Sequence, residues 1–577
     1  MITACLLLAT LARAADLLTP ADFRDAKRWE ALEGSPAVEP ATDSGKPAVL
    51  LRCPFSTLEG WRAGWDVEMT PDLTGDKWIT VRVKADDPEA VAEIVLYFES
   101  GAGWYRSGAG GVGKTWRTLK LPRAAFGTEG TPAGWNSFRR VRIAVTPAAK
   151  RDVTVTLAAL AGTSALAVDD VVTIGPWQGV AEVGAAFKAD RALAPAWGAA
   201  EVLLRSAARA RNLEAKEPQD LLARARGILV DAYARAQAPK PGEFRAGWCH
   251  SGDAYGMGWP KVVDALAQNG FNAVFPNMLW SGCAYYPSNV VPVAKVVGQQ
   301  GDQLKILLDA AHAKGIQVHV WKVCFQMGWM ADPAVAVPYR FAGRMMVDKD
   351  GKQGEWLCPS NAANRKYELD AIRELVAKYP IDGFQLDYIR YPGDEWCFCP
   401  ACRANFEEGL GVRLDGWPKP VLEGGKYAAQ YADWRRNVIT SFVLTVRQMM
   451  KDVRPEAKLS AAVFSDPASC RKSVFQDWGR WIKDGLVDFV CPMNYTDSLP
   501  EMRARLKSEL EAAAGKVPVY VGLYATYGAD RNQAPDMAVA QIVSARELGA
   551  AGFVLFELEE QVVRDLLPVL RLGVTSK

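Results

Sequence analysis

The segment YPIDGFQLDYIRYP, Tyr379 to Pro392, brings Asp387, Tyr388, Arg390 and Tyr391 within five residues. If it is a strand, Phe384 and Leu386 pack on one side while Gln385 and Asp387 face the other. Asp387 then stands at the C-terminal end, where a carboxylate can act as nucleophile or base and Arg390 can hold it ionised by charge pairing. A structural ion pair is the alternative role for the same two residues.

Carboxylates, aromatics and amides at the strand ends describe a sugar site better than a phosphate site, and glycoside hydrolysis there would need a second carboxyl as general acid, its pKa raised by a less polar setting. The candidates are Asp253, Asp466, Asp477, Asp497 and Glu557. Asp477 also suits a helix N-cap, and Asp497 and Glu557 also suit sugar hydroxyls. Asp387, Asp466 and Glu557 form the expected catalytic set. Other polar and aromatic residues at strand ends would stack on sugar rings or bind hydroxyls: Trp248, Asn277, Trp280, His319, Trp321, Tyr388, Arg390, Tyr391, Asn494, Tyr495, Asp497 and Tyr524. Other hydrolytic chemistries lack their parts. The chain has three histidines and no GxSxG, HxH or HExxH.

EWCFCPACRANF carries Cys397, Cys399 and Cys402, and EWLCPSN supplies Cys358. Four thiolates on neighbouring loops could form a closed tetrahedral zinc site that stiffens the rim. Disulfides are the competing account in a secreted protein, although cysteines one residue apart rarely pair with each other. Either role is structural, and catalysis is expected to need no cofactor. SGAGGVGKTW, Ser107 to Trp116, matches two phosphate-loop patterns, but WRTLKLP follows it and reads as a strand, not the required helix. Its glycines are expected to form a hairpin loop.

The elements that must position these residues change character along the chain. From Ala15 to about Gly175, short alternating runs such as KWITVRVKA, AEIVLYFES and FRRVRIAVT predict a jelly-roll-like β-sandwich over residues 15–176. Residues 177–240 read as a helical connector. From Phe244 onward, eight apolar strands alternate with amphipathic helices, which predicts a (β/α)8 TIM barrel over residues 241–577. A doubly wound sheet is the alternative, and the count closing at eight favours the barrel. In a barrel, the βα loops converge on the C-terminal ends of the strands, where Asp387 would lie.

FRAGWCHSGDAYGMGWPKVVDALAQNGFNAVFPNM, YYPSN, LLDAAHAKGIQVHVWKV, IDGFQLDYIRYP and DFVCPMNYT occur in an order that resembles the glycosyl-hydrolase-like family ten proteins. The resemblance spans roughly residues 244–558. It implies a (β/α)8 hydrolase acting on glycans, some members acting on bacterial cell-wall glycan strands, with Asp387 as the strand-four catalytic carboxylate. Two departures stand out: no second carboxylate matches by position, and the cysteine-rich insertion is not general in the family. VDDVVTIG with GWNSFRRVRIAV resembles jelly-roll carbohydrate-binding-like domains, and a purely structural sandwich is the alternative.

With 68 Lys and Arg against 66 Asp and Glu, the chain has no basic footprint for nucleic acid. Twenty tryptophans suit sugar stacking. The N-terminal apolar run followed by Ala12-Arg13-Ala14 predicts a signal peptide over residues 1–14 and hence a secreted or periplasmic protein without a transmembrane segment. The expected function is cleavage of O-glycosidic bonds in a polysaccharide or peptidoglycan glycan. A non-catalytic glycan-binding protein on the same barrel is the alternative.

Overall fold

Period-two alternation in the first part of the chain becomes two antiparallel sheets of six strands each. One sheet runs in the order Glu39–Asp43, Lys46–Cys53, Val153–Thr163, Trp78–Ala85, Arg117–Pro122, with Ala15–Asp16 paired to Val153–Thr163. The other runs Gly127–Thr131, Ala102–Ala109, Val91–Ser100, Phe138–Pro147, Ala63–Glu68, Trp29–Ala31. Val49, Leu51, Ile79 and Leu157 of the first share one apolar core with Trp65, Leu96, Phe98 and Val141 of the second. The computed structural model describes all residues except 1–14, 44, 165–167, 211, 212, 214, 281, 328–332, 528–530, 533 and 577. The expected signal peptide therefore lies outside the described residues.

The glycine-rich stretch after Ala109 corrects one expectation. It is not a hairpin loop, because Ala102–Ala109 and Arg117–Pro122 lie in different sheets and the stretch crosses between them. The hairpin is the preceding one, Val91–Ser100 with Ala102–Ala109. A strand, not a helix, follows Lys114, so no helix N-terminus is available to hold a phosphate.

Helices Val180–Ala189, Ala194–Ala207 and Lys216–Arg235 occupy the expected connector. The chain divides into two compact units, Met1–Gln237 with 496–505 and 539–541, and the remainder. Among the described residues, no helix is long and apolar enough to cross a membrane.

The second unit holds eight parallel strands: β1 Phe244–Cys249, β2 Ala273–Trp280, β3 Gln317–Val323, β4 Gly383–Asp387, β5 Lys458–Phe464, β6 Phe489–Asn494, β7 Tyr520–Tyr524 and β8 Gly552–Phe556. Each pairs with the next, and β1 pairs with both β2 and β8, which closes the barrel. A helix follows each strand, from Trp259–Gln268 after β1 to Leu567–Arg571 after β8. Some helices start at side-chain caps: Asp302 accepts from Lys305 N–H at 3.0 Å, and Asn361 accepts from Ala363 and Asn364 N–H.

Candidate active site

Alternation along each strand sends every second side chain into the barrel, and these side chains lie at successive heights. At the N-terminal end is an aromatic plug. Phe244 stacks on Tyr520 with centroids 4.1 Å apart, and His319 packs 5.1 Å from Phe275 and 5.5 Å from Phe489. Gly383, opposite His319 on β4, makes room for the imidazole, since a Cβ there would lie 2.1 Å from Nδ1. Burial pushes the His319 pKa down to about 4, so the ring is neutral, with Nε2 3.0 Å from Gln317 Oε1. His319 is thus a core residue and not a sugar ligand.

One layer higher, Trp248 donates its Nε1–H to Gln385 Oε1 at 2.5 Å. Its ring fills the space above Gly522, where a Cβ would meet it at 2.9 Å. Trp248 is 2% exposed and forms part of the packed interior. It is not an exposed stacking platform, as had been expected from its place near a strand end.

At the C-terminal end stands Asp387, the last residue of β4 and 4% exposed. Oδ2 accepts from Trp321 Nε1–H at 3.0 Å, and Oδ1 accepts from the Tyr388 backbone N–H at 2.7 Å. Tyr388 adopts a left-handed backbone, φ 53°, sparsely populated by non-glycine residues, as the chain turns off the strand. Burial raises the Asp387 pKa to about 6, outweighing the hydrogen bonds and the more distant Arg390, which all favour the charged form. Arg390 was expected to hold Asp387 ionised by pairing. Instead its guanidinium lies over Phe464 at 4.4 Å, Tyr388 at 4.8 Å and Trp356 at 5.3 Å, and donates to the Tyr391 carbonyl.

Glu557 follows β8. Its Oε2 accepts from the His250 backbone N–H at 3.1 Å and from the Tyr255 hydroxyl, and burial raises its pKa. Aromatic contacts connect the two carboxylates. Trp321, bonded to Asp387, lies 5.2 Å from His250, which lies 4.1 Å from Trp280. Burial drives His250 down to about 4, so its ring is neutral. Tyr495 stacks on Phe556 at 5.2 Å and meets Tyr524 at 5.1 Å. The charges of both Asp387 and Glu557 help to raise the pKa of its phenol, after burial. Asn277, facing Trp321 across β2 and β3, is fully buried with neither amide atom hydrogen-bonded.

Other expected residues point elsewhere. Asp466 is exposed and caps helix Pro467–Ser473, accepting from Ala468 and Ser469 N–H at 3.0 Å. That explains its place just after a strand without a catalytic role. Asn494 donates through Nδ2 to both carboxylate oxygens of Glu509, in the helical layer outside the barrel. Tyr391 is fully buried against Phe475, and Asp497 is exposed. Neither joins the group around Asp387. Sequence reasoning did not single out Tyr255 or Trp356. A tyrosine followed directly by Gly256 in the first βα loop was the available signal for Tyr255.

Cys358, Cys397, Cys399 and Cys402 are brought together as expected, all buried, with sulfurs within 4.8 Å of one another.

Residues 259–542 match the model of the family described as Glycosyl hydrolase-like 10. "Glycosyl hydrolase DigH" of Escherichia coli strain K12 is 26% identical over 40% of this chain and 56% of its own length. "Glycosyl hydrolase YngK" of Bacillus subtilis strain 168 is 23% identical over 46% of this chain and 56% of its own. An "S-layer-related protein" of Niallia circulans is 25% identical over 52% of this chain and 22% of its own. The chain thus spans little more than half the length of the two glycosyl hydrolases. Among solved structures, the PgaB (BpsB) glycoside hydrolase domain from Bordetella bronchiseptica is 15% identical, with a TM-score of 0.46, over 57% of this chain and 99% of that one.

Proposed function

We propose, from the match of residues 259–542 to the glycosyl hydrolase-like 10 family model, that the barrel cleaves O-glycosidic bonds of a polysaccharide or cell-wall glycan, with Asp387 and Glu557 as its two carboxylates. The observation that carries this reading is the pair of carboxyls at the C-terminal rim, Asp387 buried and Glu557 half-buried, each with a raised pKa, joined through Trp321, His250 and Tyr495. With its pKa raised to about 6, Asp387 keeps a proton that it can deliver to a leaving glycosidic oxygen, which makes it the general acid in place of the nucleophile or base expected from the sequence. The carboxylate left behind is held by the N–H groups of Trp321 and Tyr388. Both hydrogen bonds to Glu557 fall on Oε2, which leaves Oε1 for water or the anomeric carbon. Half-buried Trp280, Tyr388, Tyr495 and Tyr524 offer rings to sugar faces, and the unpartnered Asn277 amide offers both a donor and an acceptor.

Secretion or a periplasmic location is part of the same proposal. It rests on the apolar N-terminal stretch and the S-layer-related relative. The N-terminal sandwich would then serve as a glycan-binding module.

A second reading, a glycan-binding barrel without turnover, is favoured by one observation. Glu557 is tied to the first βα loop by two donors, as a structural carboxylate would be. Incubating the full chain and its Asp387→Asn variant with a panel of polysaccharides and peptidoglycan glycan strands separates the two. New reducing ends from the wild type alone support the glycosidase. Retention of glycan by both proteins, with no reducing ends, supports the binder.

A further inference from the structure

The four cysteines come from two connections that flank the candidate site. Cys358 follows strand Gln353–Leu357 in the segment between β3 and helix Ala362–Lys378. Cys397 and Cys399 lie after β4, and Cys402 is in the first turn of helix Pro400–Leu410, whose N-cap is Cys399. Cys358 Sγ is 3.4 Å from Cys402 Sγ and 3.5 Å from Cys399 Sγ, and no two ligand sulfurs of the four are more than 4.8 Å apart. A tetrahedron with zinc–sulfur bonds of about 2.3 Å has sulfur–sulfur edges of about 3.8 Å. The spacing found here brackets that edge. A disulfide, at about 2.05 Å, joins sulfurs in pairs and would not gather all four around one point.

The surroundings suit a negatively charged tetrathiolate. Val347 N–H donates to Cys397 Sγ at 3.3 Å, and Cys402 N–H donates to Cys399 Sγ at 3.5 Å. Backbone donors of this kind orient and stabilise metal-bound thiolates. The Ser360 hydroxyl lies 3.2 Å from both Cys358 and Cys402 sulfurs. Arg435, 6% exposed, has no carboxylate among the described residues within ion-pair distance and donates to the carbonyls of Asp394 and Trp396, next to Cys397. Its guanidinium offsets part of the charge that four thiolates around a divalent ion leave over.

We propose that Cys358, Cys397, Cys399 and Cys402 bind one zinc ion that fastens the βα loop after β3 to the βα loop after β4. The fastening matters for the rim. Trp356, two residues before Cys358, packs 5.4 Å from Tyr388 and lies beneath the Arg390 guanidinium, so it shelves the residues that follow Asp387. The ion is structural: its four positions are filled by sulfur, and none is left for water or substrate. Metal binding is independent of whether Asp387 is catalytic, so failure of the glycosidase reading leaves this proposal standing.

The test is metal analysis of the full chain purified without added metal, with intact mass measured under non-reducing conditions. About one equivalent of zinc per chain is expected, falling below about a tenth of an equivalent in the Cys399→Ser and Cys402→Ser variants. Cys470→Ser, outside the cluster, should keep the zinc. If the cluster variants fail to fold, the wild type answers alone: chelation should release the zinc, expose four new thiols to a thiol reagent and lower the thermal midpoint, and zinc should restore all three. Cobalt in place of zinc should give thiolate-to-metal charge-transfer absorption. A metal-free chain whose mass is lower by about 2 Da per bridge would overturn the proposal in favour of disulfides. Stoichiometric iron would overturn the choice of zinc, and a metal-free chain with four free thiols would overturn the site.

Discussion

The same eight strands carry aromatic residues at both ends of the barrel, with opposite consequences. At the N-terminal end, Phe244, Phe275 and Phe489 pack around His319, whose side chain hydrogen-bonds to the neighbouring Gln317. At the C-terminal end, Trp321 and the Tyr388 backbone donate to Asp387, the His250 backbone and Tyr255 donate to Glu557, and Tyr495 stacks on Phe556. Burial acts on both ends, but it suppresses the proton on His319 and retains it on Asp387. Desolvation favours the neutral form in each case, so the imidazole at the lower end and the carboxyl at the upper end shift in opposite directions from one cause.

The largest test of this contrast is activity at the upper end. Asp387→Asn should lower the rate of reducing-end release by roughly a hundred- to ten-thousand-fold, while His319→Leu at the lower end should leave it within about threefold. Equal losses in the two variants would break the comparison. Glu557→Gln should also reduce release, by about a hundredfold, with glycan retention unchanged.

Stability against pH sharpens the contrast, because Asp387 and His319 titrate with opposite sign. The folded-state pKa of Asp387 is raised from 3.8 to about 6, so its contribution is most favourable below 3.8 and is lost as pH rises through 6. Asp387→Asn should therefore make the protein more stable at pH 7, by up to about 3 kcal/mol. The folded-state pKa of His319 is lowered from 6.5 to about 4, so its contribution is present above 6.5 and is lost as pH falls through 4. His319→Leu should remove up to about 3 kcal/mol of acid sensitivity in that window. Urea unfolding at several pH values between 4 and 7 reads both slopes, and parallel slopes in the two variants would contradict the assignment.

The smallest effect is expected at Asp466. Asp466→Ala removes a helix cap, so thermal unfolding should report a loss of about 1 kcal/mol, with reducing-end release within about twofold of wild type. A collapse of release would return Asp466 to the catalytic set.

Much of the scaffold was legible because it follows from local periodicity. Eight apolar strands separated by amphipathic helices closed into a barrel, and short alternating runs became antiparallel sheets. The glycine-rich stretch had no following helix, as its sequence implied, yet its role as a crossover depended on which sheet each flanking strand joined. The site was legible only in outline. Asp387 at the end of β4 follows from alternation within five residues, whereas Trp248 and His319 have the same parity as residues at the rim and differ from them only in height.

By itself, then, the sequence determined the strand order, the face on which Asp387 stands and the presence of four thiols close enough in number and type to hold a metal. Tertiary structure alone decided that Arg390 turns onto Trp356 and Phe464 instead of pairing with Asp387, that Asn494 faces Glu509 outside the barrel, and that Cys358 meets cysteines some forty residues later. The physical reason is the range of the interactions. Side-chain alternation is fixed by the backbone of one strand, but height, convergence and desolvation are set by the stagger between strands and the course of loops that meet only when the barrel closes.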